Sequence, residues 1–262
     1  MNHFSIAIGA FASALASPIA AARPHFIDVK LIASSNSPRA GQAVLVGLEM
    51  IPQAGWHGYW SNPGENGLAP VVKWTAPAGV HFGPLEHPAP TLMNLMGMPS
   101  YVHAGPHILL TRVTLSPNLS KGAMLPVVAD VSWAACSDKL CVPERTRLSF
   151  RMTVGNGPPS ADAGILHRAL ALIPRRAAAG TFSAGGGEII LRLPPSVRLN
   201  PGRVRFFPDT NGYWEPLRAR AVFGTPLALI SPARGKPPKL ITGVVSDGSS
   251  AYRLSFESRS RN

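Results

Sequence analysis

Cys136 and Cys141 are the residues of this chain best equipped for chemistry. They are its only cysteines. A thiol pair this close in sequence can bond to itself, and a disulfide is broken and remade by attack of a thiolate. Four residues lie between them, Ser137, Asp138, Lys139 and Leu140, and their polar, turn-prone character suits a hairpin tip. Side chains directly opposed across a hairpin have Cβ atoms about 4.5–5.5 Å apart, which a modest adjustment brings to disulfide geometry.

Strand parity predicts where the sulfurs point. Leu125, Val127, Ala129, Val131, Trp133 and Ala135 share one face of a strand, and Cys136 falls on the other with Asp130 and Ser132. On the return strand Leu148, Phe150, Met152 and Val154 share a face, while Cys141 has the parity of Arg145, Arg147, Ser149 and Arg151. Unbroken pairing therefore puts both sulfurs outside the apolar core, open to another protein's thiolate. Pro143 is the residue that could disturb this register. The competing reading is a structural staple. A loop this short stabilises by only about 2 kcal/mol in the chain-entropy model, against nearly 5 for a loop of about 100 residues. Both readings stay open on spacing alone. Metal binding by a lone cysteine pair is weaker still, with no His or further Cys close by in sequence.

Other residues offer less. Met93, Met96 and Met98 precede His103, and thioethers with an imidazole are soft ligands for Cu(I). The same segment also reads as ordinary loop or core packing. Trp56, Tyr59 and Trp60 sit in a stretch rich in Gly, Pro and Asn, either as a platform near the cysteines or as rings that pin an irregular loop. His57 alone does not define a base. Asp138, Lys139 and Glu144 flank the cysteines with opposing signs, so no net thiol acidity follows. No nucleophile elbow and no phosphate-binding loop is present.

The elements that must position the cysteines read as β-strands. His25–Ile32, Gln42–Met50, Val71–Trp74, His107–Leu115, Leu125–Ala135 and Arg147–Val154 are short apolar runs separated by Pro- and Gly-rich turns. That spacing predicts an antiparallel β-sandwich of immunoglobulin-like kind, with a barrel as the alternative. After the Gly155–Ser160 stretch, Ala161–Ile173 has helical spacing that Pro174 ends. Glu188–Leu193, Arg203–Phe207, Leu227–Ser231, Leu240–Val245 and Tyr252–Phe256 are further strands. The expected fold class is all-β: a sandwich over residues 23–157, a linker with a short helix over 158–180, and a second, smaller β domain over 181–262.

Residues 1–22 carry no Lys, Arg, Asp or Glu and end in Ala20, Ala21 and Ala22. This predicts a signal peptide cleaved near Ala22 and export to the periplasm, where a cysteine pair can oxidise. The net charge is +12 and lopsided. Residues 23–150 hold nine Lys/Arg against seven Asp/Glu, whereas 151–262 hold sixteen against six. A basic second half would suit solubility, anionic lipid or an acidic partner. Nucleic acid is a poor candidate for an exported chain without a recognition motif.

Three stretches carry a family resemblance. Gly55–Gly67 (GWHGYWSNPGENG) looks like a GWHxYWxNPG segment. Trp133 to Glu144 looks like a WxxC…CxPE segment. Phe206 to Asp209, with Ala251 to Leu254, looks like part of a second β domain. Together they resemble the N-terminal periplasmic region of DsbD-type thiol:disulfide interchange proteins, in particular the ScsB-like branch. The resemblance implies an immunoglobulin-like fold in which Cys136 and Cys141 form a reversible disulfide. It implies thiol–disulfide exchange, as a protein-disulfide reductase component, with thioredoxin-like periplasmic proteins. It also implies a loop over the redox pair, whose covering or supporting residues would be Met96, Met98, Tyr101 and Trp133. No cofactor is implied. The chain has no membrane electron-carrying segment and no Cys-x-x-Cys module, so a separate membrane electron-transfer protein is the expected donor. The ScsB likeness keeps a copper-binding or interaction module, with a structural disulfide, as the alternative.

Overall fold

The long alternating run ending in Cys136 folds as expected, into the central strand of a short sheet. The computed structural model describes residues 25–95 and 97–259. The expected signal peptide (1–22, with cleavage near Ala22) and Met96 lie outside the described residues. Ten strands come first: β1 (Ile27–Ala33), β2 (Ala43–Pro52), β3 (Gly58–Gly64), β4 (Val71–Thr75), β5 (Val80–Phe82), β6 (Thr91–Leu95), β7 (Met98–His103), β8 (His107–Leu115), β9 (Met124–Cys136) and β10 (Cys141–Thr153). Helix α1 (Ala163–Leu172) follows. Then come β11 (Arg175–Arg176), β12 (Gly180–Gly185), β13 (Glu188–Arg192), β14 (Arg205–Pro208), β15 (Arg220–Val222), β16 (Ala228–Pro232), β17 (Leu240–Ser246) and β18 (Ala251–Ser258).

The fold is all-β, and the first half is a sandwich, not a barrel. One sheet has the order β1-β2-β8-β5 and faces a second with the order β10-β9-β4. Val44, Val46 and Val113 of the first meet Leu125, Val127 and Met152 of the second. Nearer the hairpin tip, Ile27, Leu48 and Leu109 meet Ala129, Val131 and Trp133. All of these are buried, each contributing roughly 1.5–3 kcal/mol of apolar transfer for the larger side chains. The alternation seen in the sequence is thus the inward face of each strand.

A third sheet, β3-β7-β6, was not visible as strands in the sequence. It covers the Cys136 end of β9, and His57 just before β3 bridges Cys136. Tyr59 and Trp60, expected in a loop, stand on β3 and are fully buried. The pairing of β3 with β7 shifts register between Tyr59 and Gly64.

The second half builds its own sheet, ordered β14-β17-β18-β12-β13-β16-β15, around Phe182, Leu191, Phe206, Trp214 and Phe256. Two contacts fasten it to the sandwich. Helix α1 lays Leu166 and Ala169 on Leu45 and Leu110, on the outer side of β2 and β8. Gly47 makes that approach possible, since a Cβ there would stand 2.6 Å from Leu166 Cδ2. On the other side Phe207 and Val244 pack against Trp60 and Tyr101. Asn62 Nδ2 donates to the Pro208 carbonyl (2.7 Å) and to Asn211 Oδ1 (2.9 Å), and Arg234 pairs with Glu65.

Candidate redox site

Strands β9 and β10 pair without interruption from Thr153 opposite Met124 to Cys141 opposite Cys136. Pro143, opposite Ala134, breaks nothing. The turn is closed by Ser137 N–H donating to the Leu140 carbonyl (2.8 Å), so hydrogen-bonded pairs alternate away from it and Pro143 falls at a position that needs no donor. Ser137 Oγ also accepts from the backbone N–H of Lys139 (3.2 Å) and Leu140 (3.1 Å), which fixes the tip. Cys136 spends its backbone groups on the far side, donating to and accepting from His57 (3.0 and 2.8 Å). Its pairing with Cys141 is therefore of the close, non-hydrogen-bonded kind. The two Cα atoms are 4.1 Å apart and the sulfurs are bonded.

The two sulfurs are not equivalent, which corrects the expectation that both are open. Both do lie on the side away from Trp133 and Ala135. The third sheet, however, closes over that side at the tip, and Cys136 has 0% exposure beneath Tyr59, Val102 and Ala134, with Met93 against the same cluster. Cys141 is exposed at the start of β10. Of the two half-cystines, solvent reaches Cys141 and not Cys136.

A polar chain lines the approach. Tyr59 Oη lies 3.9 Å from Cys141 Sγ and 3.4 Å from Asn66 Oδ1, and Ser100 Oγ donates to the same oxygen at 2.8 Å. Burial pushes the Tyr59 phenol above its ordinary pKa, so it remains a neutral donor. A depression of about 380 Å³ runs beside Cys141, bounded by Tyr59, Asn66, Asn94, Leu95 and Leu140. Gly67 shapes it: with φ +88° and a Cβ position 2.1 Å from the Tyr59 ring, no other residue fits there. Burial also lowers the pKa of the neighbouring His57, which keeps that ring neutral.

Residues 24–152 match the family described as thiol:disulfide interchange protein DsbD, N-terminal. This stretch belongs to the DsbD N-terminal family. The chain superposes on the N-terminal periplasmic domain of ScsB from Proteus mirabilis with a TM-score of 0.68, at 17% identity, over 89% of this chain and 94% of that one. That likeness supports the fold. The periplasmic chaperone SfaE aligns over 88% of this chain and 100% of its own at 9% identity, with a TM-score of only 0.22. No curated protein sequence matches the chain.

Within this DsbD-type domain, the residues expected to cover the pair are distributed differently. Tyr101 faces the opposite way on β7, edge-on to Trp60 and Phe207 at 6.3 and 5.4 Å. Its neighbour Val102 does the covering. Trp133 belongs to the sandwich core, with its indole N–H donating to Glu144 Oε2 at 2.9 Å. Met98 pairs with Leu95 at the far end of the third sheet. Tyr59, which the sequence offered only as part of an aromatic loop, is the ring nearest the open sulfur. The Gly55–Gly67 motif was the signal that could have pointed to it.

Glu144 is likewise not a neighbour of the thiols. It is buried, and its carboxylate accepts from Phe26 N–H (2.6 Å), Ile27 N–H (3.2 Å) and Trp133. Among the described members of the proposed Cu(I) set, His103 stands apart from the methionines. Met93 sits opposite Ser100, whereas His103 lies five residues beyond Met98 on β7, about 17 Å along the strand. His103 instead stacks with His107, ring centroids 4.3 Å apart, and neighbours His87. Among the described residues no group of three or more His, Cys, Asp or Glu is arranged to hold a metal ion, and no helix is long and apolar enough to cross a membrane.

Proposed function

We propose that this protein is a periplasmic thiol–disulfide exchange component that works through a reversible Cys136–Cys141 disulfide. The observation that carries the reading is the asymmetry of the pair: one half-cystine exposed at a hairpin tip, its partner fully covered. A staple has no need of an open sulfur beside a groove. The DsbD-type character of residues 24–152 supports the same reading.

The chemistry is a two-step exchange. A partner thiolate attacks Cys141 Sγ, the bond to Cys136 breaks, and Cys136 leaves as a thiolate. The partner's second thiol, as its thiolate, then attacks the mixed disulfide. Two electrons have moved to this protein, Cys136 and Cys141 are reduced, and the partner holds the disulfide. In reverse, reduced Cys141 attacks an oxidised partner. Tyr59 Oη, 3.9 Å from Cys141 Sγ, is placed to hydrogen-bond the thiolate formed there. Thioredoxin-like proteins and a membrane electron-transfer protein are the proposed partners.

Trapping tests this directly. With Cys136→Ala, the free Cys141 thiolate should displace thionitrobenzoate from a thioredoxin-like partner that carries it on its attacking cysteine and lacks its second cysteine, leaving a stable adduct on Cys141; with Cys141→Ala little or no adduct should form. The double Ala variant should keep its circular dichroism spectrum. A pair that resists dithiols, with a potential well below about −300 mV, is the result expected of a staple and counts against the proposal.

A further inference from the structure

The redox chemistry uses only the rim of the sheet β10-β9-β4, and the solvent side of that sheet is left open. Its exposed positions follow from the register: Val71, Ser132 and Arg145 stand in one row, Lys73, Asp130 and Arg147 in the next. Pro143 has the same parity as Cys141 and is exposed, so the face begins at the open sulfur. Near that end it is apolar. Leu68 is 58% and Val71 61% exposed, and with Pro143 and Arg145 they bound a depression of about 660 Å³. A second depression of about 540 Å³ continues from Val71 past Lys73 and Arg147. In charge the face is basic along its length. Lys73, Arg145, Arg147 and Arg151 point outward against a single carboxylate, Asp130, which Arg147 already engages at 3.1 Å.

We propose that this face is the landing surface for an acidic thiol protein of thioredoxin-like build, with Cys141 at its edge. The inference rests on the exchange reading above. Apolar contacts at Leu68, Val71 and Pro143 hold the partner on the face, and the cations steer an anionic partner and its thiolate toward Cys141 at its edge. The charge sets the class of partner. An anionic bilayer would also be attracted, but it brings no thiolate to the sulfur at the edge and has no use for grooves beside it.

The experiment follows reduction of the Cys136–Cys141 disulfide by an acidic thioredoxin and, separately, by dithiothreitol. For the wild type the thioredoxin rate should fall about tenfold between low salt and about 0.5 M salt. Arg145→Glu with Arg151→Glu should lower the low-salt rate about tenfold and remove most of the salt dependence. Leu68→Ser with Val71→Ser should lower the rate at both salt concentrations. Both variants should react with dithiothreitol as the wild type does. Thioredoxin rates within twofold of wild type in both variants overturn the assignment, and so does a matching loss with dithiothreitol. So does binding to phosphatidylglycerol vesicles that the charge reversal abolishes while the thioredoxin rate stands. A wild-type disulfide that dithiothreitol cannot reduce at all overturns the exchange reading itself, and this inference with it.

Discussion

Glu144 shows how one residue beside the cysteines serves the site without touching the sulfurs. Its carboxylate holds the start of β1 and the Trp133 indole at once, through bonds of 2.6, 3.2 and 2.9 Å. Truncation strands two buried donors, so Glu144→Ala should cost about 3 kcal/mol in urea unfolding and Glu144→Gln less, since the amide keeps an acceptor. The sulfurs make their own test. In Cys136→Ala, Cys141 should alkylate freely; in Cys141→Ala, Cys136 should react more slowly by roughly an order of magnitude until denaturant is added. Tyr59→Phe removes the hydroxyl nearest Cys141 and leaves the ring. It should raise the pKa of the Cys141 thiol, read by the pH dependence of alkylation in the Cys136→Ala background.

The hairpin and the sheet that covers it differ in how far the sequence reveals them. Strand β9 alternates from Met124 to Trp133 with one face in the core, so its period, partner and parity all read directly. Even the direction of the sulfurs followed. The burial of Cys136 did not, because its cover comes from Tyr59 and Val102, far away in the chain. The covering sheet hides for a physical reason. From Pro99 to His103 every residue of β7 is buried, enclosed on both sides, so no alternation survives to betray a strand. Strand β3 carries Asn62, Pro63 and Gly64 across a register break, which imitates a loop. This sheet also concentrates the steric demands of the site. Gly67→Ala forces a Cβ into the Tyr59 ring at a left-handed backbone position. It should cost more than about 1 kcal/mol and speed reduction by dithiothreitol as the cover over the disulfide loosens; calorimetry and reduction kinetics check the two effects.

At the scale of the whole molecule the buried histidines set the response to acid. His87, His103 and His107 cluster between the sandwich and the C-terminal sheet, where burial lowers their pKa values; the His107 ring adds to the effect at His87 and His103, Arg253 adds to it at His87, and the Gly105 carbonyl opposes it at His107. His87 is held down to about 3 against an ordinary 6.5. Between those values the unfolded chain takes up a proton that the folded chain refuses. The stability from this source is therefore intact above pH 6.5 and falls as pH drops below it, by about 1.4 kcal/mol per pH unit for each imidazole kept neutral. Denaturant melts from pH 7 to pH 4 should show that slope, and His87→Asn should flatten it. The same junction carries a larger consequence. Tyr59 and Trp60 are adjacent on β3 and point to opposite sides, one toward the open sulfur and the other toward Phe207. A single backbone is thus a party wall between two rooms. Whatever pries the C-terminal sheet away from Trp60 also slackens the plaster around Cys141, so the reactivity of the disulfide and the docking of a sheet that contributes no sulfur rise and fall together.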